Sequence, residues 1–387
     1  MNDYTQASLK FKILKSLRYF RLYGPNRTII KIKGIYHEKK LFDESININR
    51  FVKDTDVRNV AIIGCGNFSF SNIAYYLYKK EKNFLRGTFD INYSHAASLC
   101  FTYKGLFIYK SIEDLIADPK IKLVYIASNH ASHAEYAIRC IEAGKHVHIE
   151  KPTVVSYEQL QRLTLIIKSN PFVKFFQGFN RPKSKLYILL NNYLAKEKGP
   201  LMINWFIAGH EISDNHWYFN KSEGGRVLGN LCHWSDLTLE LIGVNNAFPC
   251  VIKSSSPLNS KSDFVLGVEF ADQSCATISF SAKGHTFEGV REVLNIHKGN
   301  LLGSLKDFQN LNLDIIEKKV SKNLFFRDHG HSSNIINSYN SVLKNTEGVS
   351  IDYMVASSLF ILKLKEAVET GETVNISKED INILINI

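Results

Sequence analysis

The chain has 387 residues, of which 45% are hydrophobic, and this length and composition favour two globular domains over one. It has no apolar run of about eighteen residues, and its six cysteines are scattered, which argues against a transmembrane helix, a disulfide framework or a structural zinc site. We therefore expect a cytoplasmic protein with reduced thiols and no bound metal.

The formal net charge of +11 is concentrated near the N-terminus. Between Leu9 and Lys40 lie ten lysines and arginines but only one carboxylate, so the rest of the chain is nearly neutral. Because these cations are interleaved with aliphatic residues at helical spacing, we do not expect a nucleic-acid partner.

This basic N-terminal segment, residues 1–56, predicts an amphipathic helix. Leu9, Ile13 and Leu17 recur at roughly helical spacing, with cations between them. Two interpretations stay open: residues 7–24 lie on an anionic membrane surface, or their apolar face packs against the protein or a partner subunit. Gly24 should end the helix, and residues 28–36, TIIKIKGIY, then alternate in the manner of a strand.

Residues 57–80 predict a buried strand, a glycine turn and a helix, the order of elements that a dinucleotide site needs. Gly64 would permit the tight turn, and Gly66 would let the backbone approach a pyrophosphate at the helix N-terminus. The next apolar run ends in Asp90, at about the distance where an acid binds the ribose hydroxyls. No cation follows Asp90 directly, which favours NAD over NADP; the alternative for Asp90 is a turn residue at a strand end.

Alternating strands and helices continue to about residue 180. Strands are predicted at 122–128 and 146–150 and helices at 111–119 and 133–144, which indicates a parallel, doubly wound sheet over residues 57–180. Polar residues follow two of the strand ends, where ligands bind in such sheets. They are Ser128, Asn129, His130, His133, Glu150 and Lys151. For His133 the alternative is a residue that only starts the following helix.

From residue 181 to 387 the strands are longer and alternate like a mostly antiparallel sheet. Between them a turn at Gly224 and Gly225 precedes a helix on which His233 and Asp236 share one face. A histidine beside a carboxylate can act as a general acid or base. The alternative is a helix in which His233 only bonds to its neighbours. The expected fold is α/β, with an N-terminal doubly wound Rossmann domain and a C-terminal α+β domain that has a mostly antiparallel open sheet.

Three blocks resemble the Gfo/Idh/MocA oxidoreductases: GCGNF at 64–68, ASNHASHAEYAI at 127–138 and AGKHVHIEKP at 143–152. Their order and spacing are specific, and the resemblance covers about residues 57–376. It implies that Lys151 contacts substrate near a nicotinamide. The expected cofactor-binding residues are Gly64, Gly66, Asn67, Phe68, Asp90, Ser128, Asn129, His133 and Glu150.

The block at 224–236 is similar to a branch of this family that includes domains fused to zinc-type alcohol dehydrogenases. The similarity implies that His233 lines the substrate pocket. Asn215 and Asn230 stand where relatives tend to have acids, and asparagine cannot accept a proton as a base, so the proton chemistry rests on Lys151 and His233. Further expected substrate contacts are Trp217, Arg226, Asn230, Asp236 and His331, whereas Arg181 is expected on a solvated surface.

These features together predict an NAD(P)-dependent oxidoreductase that acts on a hydroxyl or carbonyl group of a sugar, polyol or nucleotide-sugar. We expect a role in surface polysaccharide biosynthesis, a homo-oligomer, and a cytoplasmic location with peripheral contact at the inner face of the membrane as an open possibility. The alternative is a catalytically reduced binding or scaffold protein on the same fold. It is motivated by Ser69, Asn215 and Asn230, which depart from the family pattern.

Overall fold

The computed structural model describes residues 7–43, 52–257, 260–283, 287 and 289–386. The chain divides into two compact units. One, here called the Rossmann unit, contains Pro25–Gly178 and Ser332–Ile351. The other, the sheet unit, contains the chain up to Gly24, Phe179–His331 and the chain from Asp352. The basic N-terminal segment is therefore shared between the two units, with the division at Gly24.

The predicted basic helix is confirmed as α1 (Leu9–Tyr23), which belongs to the sheet unit. The side chain of Ser8 caps its start by accepting a hydrogen bond from the Phe11 N–H, and the N–H of Gly24 donates to the carbonyl of Phe20 at its end. The residues predicted to form its apolar face are exposed: Leu9 by 73%, Ile13 by 51% and Leu17 by 60%.

The predicted strand at residues 28–36 is wrong, because these residues lie within a second helix, α2 (Pro25–His37), which belongs to the Rossmann unit. Pro25 occupies the first helical position, where its missing N–H costs nothing. Ile30, Gly34 and His37 are buried at a spacing of three to four residues. Packing of this face thus overrides the β-branched composition that suggested a strand.

The Rossmann unit contains a six-stranded parallel sheet with strand order β3-β2-β1-β4-β5-β6, the classic dinucleotide-binding arrangement. Its strands are β1 (Val60–Ile63), β2 (Leu85–Phe89), β3 (Phe107–Ile108), β4 (Leu123–Ile126), β5 (His146–Ile149) and β6 (Phe175–Gln177). Its connecting helices are α3 (Tyr75–Lys80), α4 (Tyr93–Thr102), α5 (Ile112–Ala117), α6 (His130–Glu142) and α7 (Tyr157–Ser169). A π-helical turn, Ser69–Ala74, leads into α3. Strands β1 and β4 are buried along their whole length, as expected for strands covered on both faces.

The sheet unit contains nine strands in the order β14-β13-β12-β11-β7-β10-β9-β8-β15. They are β7 (Met202–Ala208), β8 (Cys250–Ser254), β9 (Asp263–Glu269), β10 (Cys275–Ser281), β11 (Arg291–Lys298), β12 (Leu301–Lys306), β13 (Asn310–Ile315), β14 (Lys318–Asn323) and β15 (Val374–Ile376). Among the strands of this sheet that the structure describes, only β7 and β10 pair in parallel, so the predicted mostly antiparallel sheet is confirmed. Inward and outward side chains alternate, which leaves Met202 and Phe206 each 55% exposed on the outer face.

The remaining helices are α8 (Lys185–Leu194), α9 (Cys232–Ile242), α10 (Val244–Ala247), α11 (His331–Lys344), α12 (Ile351–Thr370) and α13 (Lys378–Asn386). After its first residue α11 joins the Rossmann unit, where the Tyr125 hydroxyl donates to the Ile335 carbonyl at 2.7 Å. Among the helices of the described residues, none has both the length and the hydropathy that a membrane span requires.

Candidate functional site

The turn after β1 depends on glycine at position 64. Gly64 has a φ of +79°, and a Cβ there would lie 2.5 Å from the backbone nitrogen of Ser128, which follows β4. The turn therefore packs directly on the next strand end, and only glycine fits. The hydroxyl of Ser69 donates a hydrogen bond to the Gly64 carbonyl, so this serine stabilises the turn.

Asp90 lies beside this turn, immediately after β2. One oxygen of its carboxylate accepts the Cys65 N–H at 2.6 Å, and the other accepts the Asn92 N–H at 2.7 Å. A carboxylate has about four acceptor positions, so these two bonds leave capacity for hydroxyl donors. The position of Asp90 fits a ribose hydroxyl pair, as the sequence predicts.

Asn67 begins the helix after the turn, and its backbone N–H is the group expected to face a pyrophosphate. This N–H instead donates a 2.7 Å hydrogen bond to the carboxylate of Glu38, in the segment that follows α2. The same carboxylate lies 3.4 Å from the position of a Cβ on Gly66. The glycine turn and Asp90 thus fit a dinucleotide, but the anion position between them is taken by a side chain of the protein itself.

Residues after β4 and β5 meet at the same edge of the sheet, because parallel strands point the same way. His133 is only 2% exposed, and its ring nitrogens face the carbonyls of Pro152, at 2.8 Å, and Ser128, at 3.2 Å. Burial lowers the pKa of His133, so the ring is neutral near pH 7. A neutral ring donates its one N–H to one of these two carbonyls. This geometry does not support the predicted cofactor contact through the ring.

Glu150 and Lys151 follow β5. The Glu150 N–H donates to the Ile126 carbonyl at 2.8 Å and so extends the hydrogen bonding between β4 and β5. Glu150 is 6% exposed, and its side chain packs against Gly178. Lys151 is partly exposed, and the Lys151–Pro152 peptide bond is cis. The Rossmann unit therefore brings the Gly64 turn, Ser128 and Lys151 to adjacent strand ends on one edge.

In the sheet unit His233 lies in the first turn of α9, after a π-helical turn at Val227–Leu231. Its ring is partly exposed and stands edge-on to Phe179, with centroids 6.4 Å apart, and to Trp234, at 6.1 Å. Trp217 is 38% exposed, in a short helical turn with Tyr218 against its ring. These side chains are accessible, as the sequence predicts for residues that contact a substrate.

Two of the predicted substrate contacts have the geometry of core residues. Asp236 is fully buried and accepts hydrogen bonds from Ser357, at 2.7 Å, and Tyr353, at 3.0 Å, on α12; burial raises its pKa to about 7. Arg226 is 5% exposed and donates to the His210 carbonyl at 2.7 Å, and burial lowers its pKa. The structure does not support a substrate contact for either, because their polar groups point into the protein.

Asn230 and His331 lie elsewhere in the sheet unit. Asn230 is partly exposed, and its Oδ1 is buried and has no hydrogen-bond partner among the described residues. His331 begins α11, with its Nδ1 3.4 Å from the side-chain nitrogen of Asn180. Both positions are compatible with the predicted contacts, which stay predictions.

Arg181, expected on a solvated surface, is instead 7% exposed and forms an ion pair of 2.8 Å with Glu292. Glu292 is 1% exposed and also accepts from the Trp234 indole N–H, at 2.6 Å, and lies 3.1 Å from the His329 ring. The sequence prediction missed this buried cluster. The sequence did contain a signal for it. Side chains alternate between the two faces of a strand, so Glu292 lies on the same buried face of β11 as Leu294 and Ile296, where it is the only carboxylate.

Across the residues that the structure describes, no group of three or more His, Cys, Asp or Glu side chains is placed to hold a metal ion.

Comparison with known proteins points to one family. Residues 58–177 match the model of an oxidoreductase family with an NAD-binding Rossmann fold, Gfo/Idh/MocA. Levoglucosan dehydrogenase of Pseudarthrobacter phenanthrenivorans is 29% identical over 153 residues, which is 37% of this chain and 38% of that protein. Across eight curated relatives, the chain spans from 16% to 60% of the relative's length.

Two solved structures share the fold over most of the chain. A levoglucosan dehydrogenase in complex with NADH and L-sorbose has a TM-score of 0.68 at 18% identity, covering 82% of this chain and 98% of its own. UDP-N-acetylglucosamine 3-dehydrogenase of Acidithiobacillus ferrooxidans has a TM-score of 0.67 at 16% identity, covering 81% and 98%. At these identities the likeness shows a common fold.

Proposed function

Because residues 58–177 match the Gfo/Idh/MocA family, we propose that the chain is an NAD(P)-dependent dehydrogenase or reductase that acts on a hydroxyl or carbonyl group of a carbohydrate. The observation that carries this proposal is the shared edge of the Rossmann sheet. At this edge the Gly64 turn follows the carboxyl end of β1, Asp90 follows that of β2, and Lys151 lies just beyond that of β5. The names of the relatives, which include dehydrogenases of levoglucosan and inositol, support a sugar or polyol as the substrate class.

The proposed cofactor site runs along this edge. Gly64 and Gly66 would let the backbone approach the pyrophosphate, and Asp90 would bind the adenosine ribose. A carboxylate at this position repels a 2′-phosphate, which favours NAD. Phe68, Ser128 and Asn129 complete the proposed contacts by their position at the turn and the neighbouring strand end. The nicotinamide, when bound, accepts or supplies the hydride.

The proposal assigns the proton chemistry to Lys151 and His233. The ammonium group of Lys151 would hold and polarise the reacting oxygen, and the imidazole of His233 would exchange its proton. Asn230 can hydrogen-bond a hydroxyl but cannot replace either of them as a base. Trp217 offers an accessible aromatic face, of the kind on which sugar rings stack.

Turnover of Lys151→Ala tests the assignment. The assay uses myo-inositol, levoglucosan and a UDP-sugar with each nicotinamide, and dinucleotide binding is measured in parallel by calorimetry. We expect kcat to fall by about 10²-fold or more with dinucleotide binding intact. The matched control is Lys122→Ala, an exposed lysine at the start of β4 on the opposite edge, which should keep the wild-type rate. An unchanged rate in Lys151→Ala would remove Lys151 from the mechanism.

A catalytically reduced binding protein is the second candidate, favoured by Asn215 and Asn230 at positions where relatives tend to have acids. In that case the Rossmann unit would serve as a scaffold. If neither NAD(H) nor NADP(H) binds to the wild-type chain or to Glu38→Ala, which lacks the carboxylate bonded to the Asn67 N–H, the scaffold replaces the enzyme as the better hypothesis.

The proposal extends to nucleotide-sugars of surface polysaccharides, with the enzyme held at the inner face of the membrane by α1. Support comes from the exposed apolar residues Leu9, Ile13 and Leu17, which lie among lysines and arginines. Flotation with anionic vesicles should recover the wild type, and Leu17→Glu should abolish recovery. Equal recovery with uncharged vesicles, or with Leu17→Glu, would argue against membrane contact.

A homo-oligomer is proposed through the outer face of the nine-stranded sheet. Met202 and Phe206 on β7 and Leu302 on β12, the two strands that flank β11, are each more than half exposed there. Light scattering should give a multiple of the 44.1 kDa chain mass. Phe206→Glu should reduce that mass to one chain, whereas a single-chain mass for the wild type would contradict the proposal.

A further inference from the structure

A stretch of the basic N-terminal segment lies across the proposed dinucleotide site. We call residues 25–42 the N-terminal strap; it consists of α2 and the five residues after it. Its first turn is anchored by Arg27, which donates to the carbonyl of Ser71 and, at 2.7 Å, to the side chain of Asn72. The Arg27 guanidinium also lies 5.3 Å from the ring centre of Tyr75 and 4.9 Å from that of Tyr76. The strap is thus fixed to the helix that follows the glycine turn.

The middle of the strap approaches that helix closely. A Cβ on Gly34 would lie 3.1 Å from the Asn67 side chain and 3.2 Å from Ser71. One turn earlier, the Lys31 ammonium donates to the Asn67 side-chain oxygen at 3.2 Å. The absence of a side chain at position 34 therefore lets α2 rest on the first residues of the dinucleotide-binding helix.

The end of the strap places a carboxylate at the anion position. Glu38 accepts the Asn67 N–H at 2.7 Å, and its oxygen lies 3.4 Å from the Cβ position of Gly66. A helix N-terminus stabilises a negative group through its free N–H groups and its dipole, and in a Rossmann site that group is the pyrophosphate. Glu38 supplies the same charge to the same donor.

The strap continues past the adenosine side of the site. The Phe42 N–H donates to the Ser94 hydroxyl at 3.0 Å, and the Phe42 ring lies 6.4 Å from that of Phe101. Both partners are on α4, the helix that begins three residues after Asp90. Residues 38–42 therefore lie between the pyrophosphate donor and the helix next to the ribose-binding acid.

Closure of the strap carries a cost at His37. This residue is fully buried; the backbone of Cys65 and Gly66 lies near its ring, but neither ring nitrogen has a hydrogen bond of good geometry among the described residues. A buried polar group without a partner is unfavourable, and opening the strap would return the imidazole to water. The closed arrangement thus combines the favourable contacts of Arg27, Lys31 and Glu38 with one unfavourable burial, as expected of a segment that opens.

We propose that the N-terminal strap is autoinhibitory: Glu38 stands in for the pyrophosphate, and the strap must leave Asn67 before a dinucleotide binds. This inference rests on the proposed function, since it requires a dinucleotide at the Gly64 turn. Only the open fraction binds, so the apparent dissociation constant is the intrinsic constant divided by that fraction. Weakening the Glu38 contact should therefore tighten dinucleotide binding without any change in the contacts to the dinucleotide.

The test is calorimetric titration of the full chain with NAD⁺ and with NADP⁺. We expect Glu38→Ala to bind about 10-fold more tightly than the wild type, the size expected for loss of one charge-assisted bond at a helix N-terminus. Glu38→Gln, which keeps an acceptor but not the charge, should fall between them. The matched control is Glu158→Ala, an exposed carboxylate in the first turn of α7, which should bind as the wild type does.

Hydrogen exchange of residues 25–42 provides a second readout. Saturating dinucleotide should increase exchange in the wild-type strap, whereas a strap that forms part of the bound site would become more protected. Equal dissociation constants for wild type and Glu38→Ala, with no gain in exchange, would overturn the strap proposal and leave the proposed function standing. Failure of every variant, including Glu38→Ala, to bind either dinucleotide would overturn both.

Discussion

The imidazole of His37 stacks on the ring of Phe70, with the two ring centroids 4.3 Å apart. Burial lowers the pKa of His37 to about 4, and the neighbouring His95 and Lys40 act in the same direction. In an open strap the ring would titrate near the ordinary histidine pKa of about 6.5. Between pH 6.5 and pH 4 the open form therefore binds a proton that the closed form rejects. Closure weakens as the pH falls through this range, by about 2 kcal/mol at pH 5.

Acid should consequently open the strap. Hydrogen exchange of residues 25–42, corrected for intrinsic rates, should show less protection at pH 5 than at pH 7. His37→Phe keeps the stacking on Phe70 and removes the titrating group, so its protection should be the same at both values. If His37→Phe retains the wild-type pH dependence, another group controls the strap.

Asp236 should make the stability of the sheet unit depend on pH in the opposite sense. Its folded-state pKa, about 7, lies above the ordinary aspartate value of 3.8, because the carboxylate on α9 is buried where it bonds to α12. The protonated form is favoured, so its stabilising effect is complete below pH 3.8 and is lost as the pH rises toward 7. The free energy lost is on the order of 2–4 kcal/mol.

Asp236→Asn should remove this slope. Urea unfolding at pH 5 and pH 8 should show that the variant is more stable than the wild type at pH 8 and similar at pH 5. Asp352→Asn, an exposed carboxylate in the first turn of α12, is the control and should keep the wild-type slope. The burial argument is wrong if Asp236→Asn loses stability between the two pH values as the wild type does.

The parallel sheet could be predicted from sequence because its strands are short apolar runs with polar or glycine ends. The strand before Gly64 and the one before Lys151 were found in this way, and so was the turn between β1 and its helix. The helix α2 was missed because Ile30 and its neighbours alternate with polar residues, as they would in a strand. Its burial depends on contacts with residues 67–76, which no local pattern reveals.

The sequence predicted the residues of the candidate site that directly follow a recognisable strand, such as Asp90 after β2 and Lys151 after β5. The site was not predictable where the function of a side chain is set by a distant partner. Arg181 and Glu292 are 111 positions apart, and only the folded chain shows that they pair in the core. For the same reason the sequence could not show whether Asp236 is buried or accessible on its helix, because its partners Tyr353 and Ser357 lie on α12.

The pair Arg181–Glu292 should be important for stability. Glu292→Gln leaves the Arg181 guanidinium buried without its counter-charge, which typically costs about 3–5 kcal/mol. Urea unfolding measures the loss. Glu135→Gln is the comparison, because Glu135 pairs with Arg162 at the same 2.8 Å on the surface, where such pairs contribute about 1 kcal/mol or less.

A double variant separates pairing from packing. Arg181→Met combined with Glu292→Met removes both charges and keeps apolar volume, so it should recover part of the stability that either single change loses. Losses that simply add would show that the two residues contribute independently, contrary to the cluster described above.

Gly64→Ala should lower the free energy of unfolding of the Rossmann unit by more than the cost of placing alanine at a positive φ. The added Cβ would meet the backbone of Ser128 at 2.5 Å, in a residue whose φ is +79°. Gly144 provides a matched control, because its φ is +73° and a Cβ there meets no atom within 4 Å. Gly144→Ala should therefore cost roughly 1 kcal/mol, the conformational penalty alone.

Urea unfolding of Gly64→Ala should show a loss larger by at least about 1 kcal/mol, because the ends of β1 and β4 must separate to admit the methyl group. Lys151 follows the next strand along the same edge, so dinucleotide-dependent turnover should fall as well, while Gly144→Ala keeps its rate. Equal losses of stability in the two variants would mean that the Gly64 turn can shift to accept a methyl group. Close packing of this turn on Ser128 would then not be required to position the proposed site.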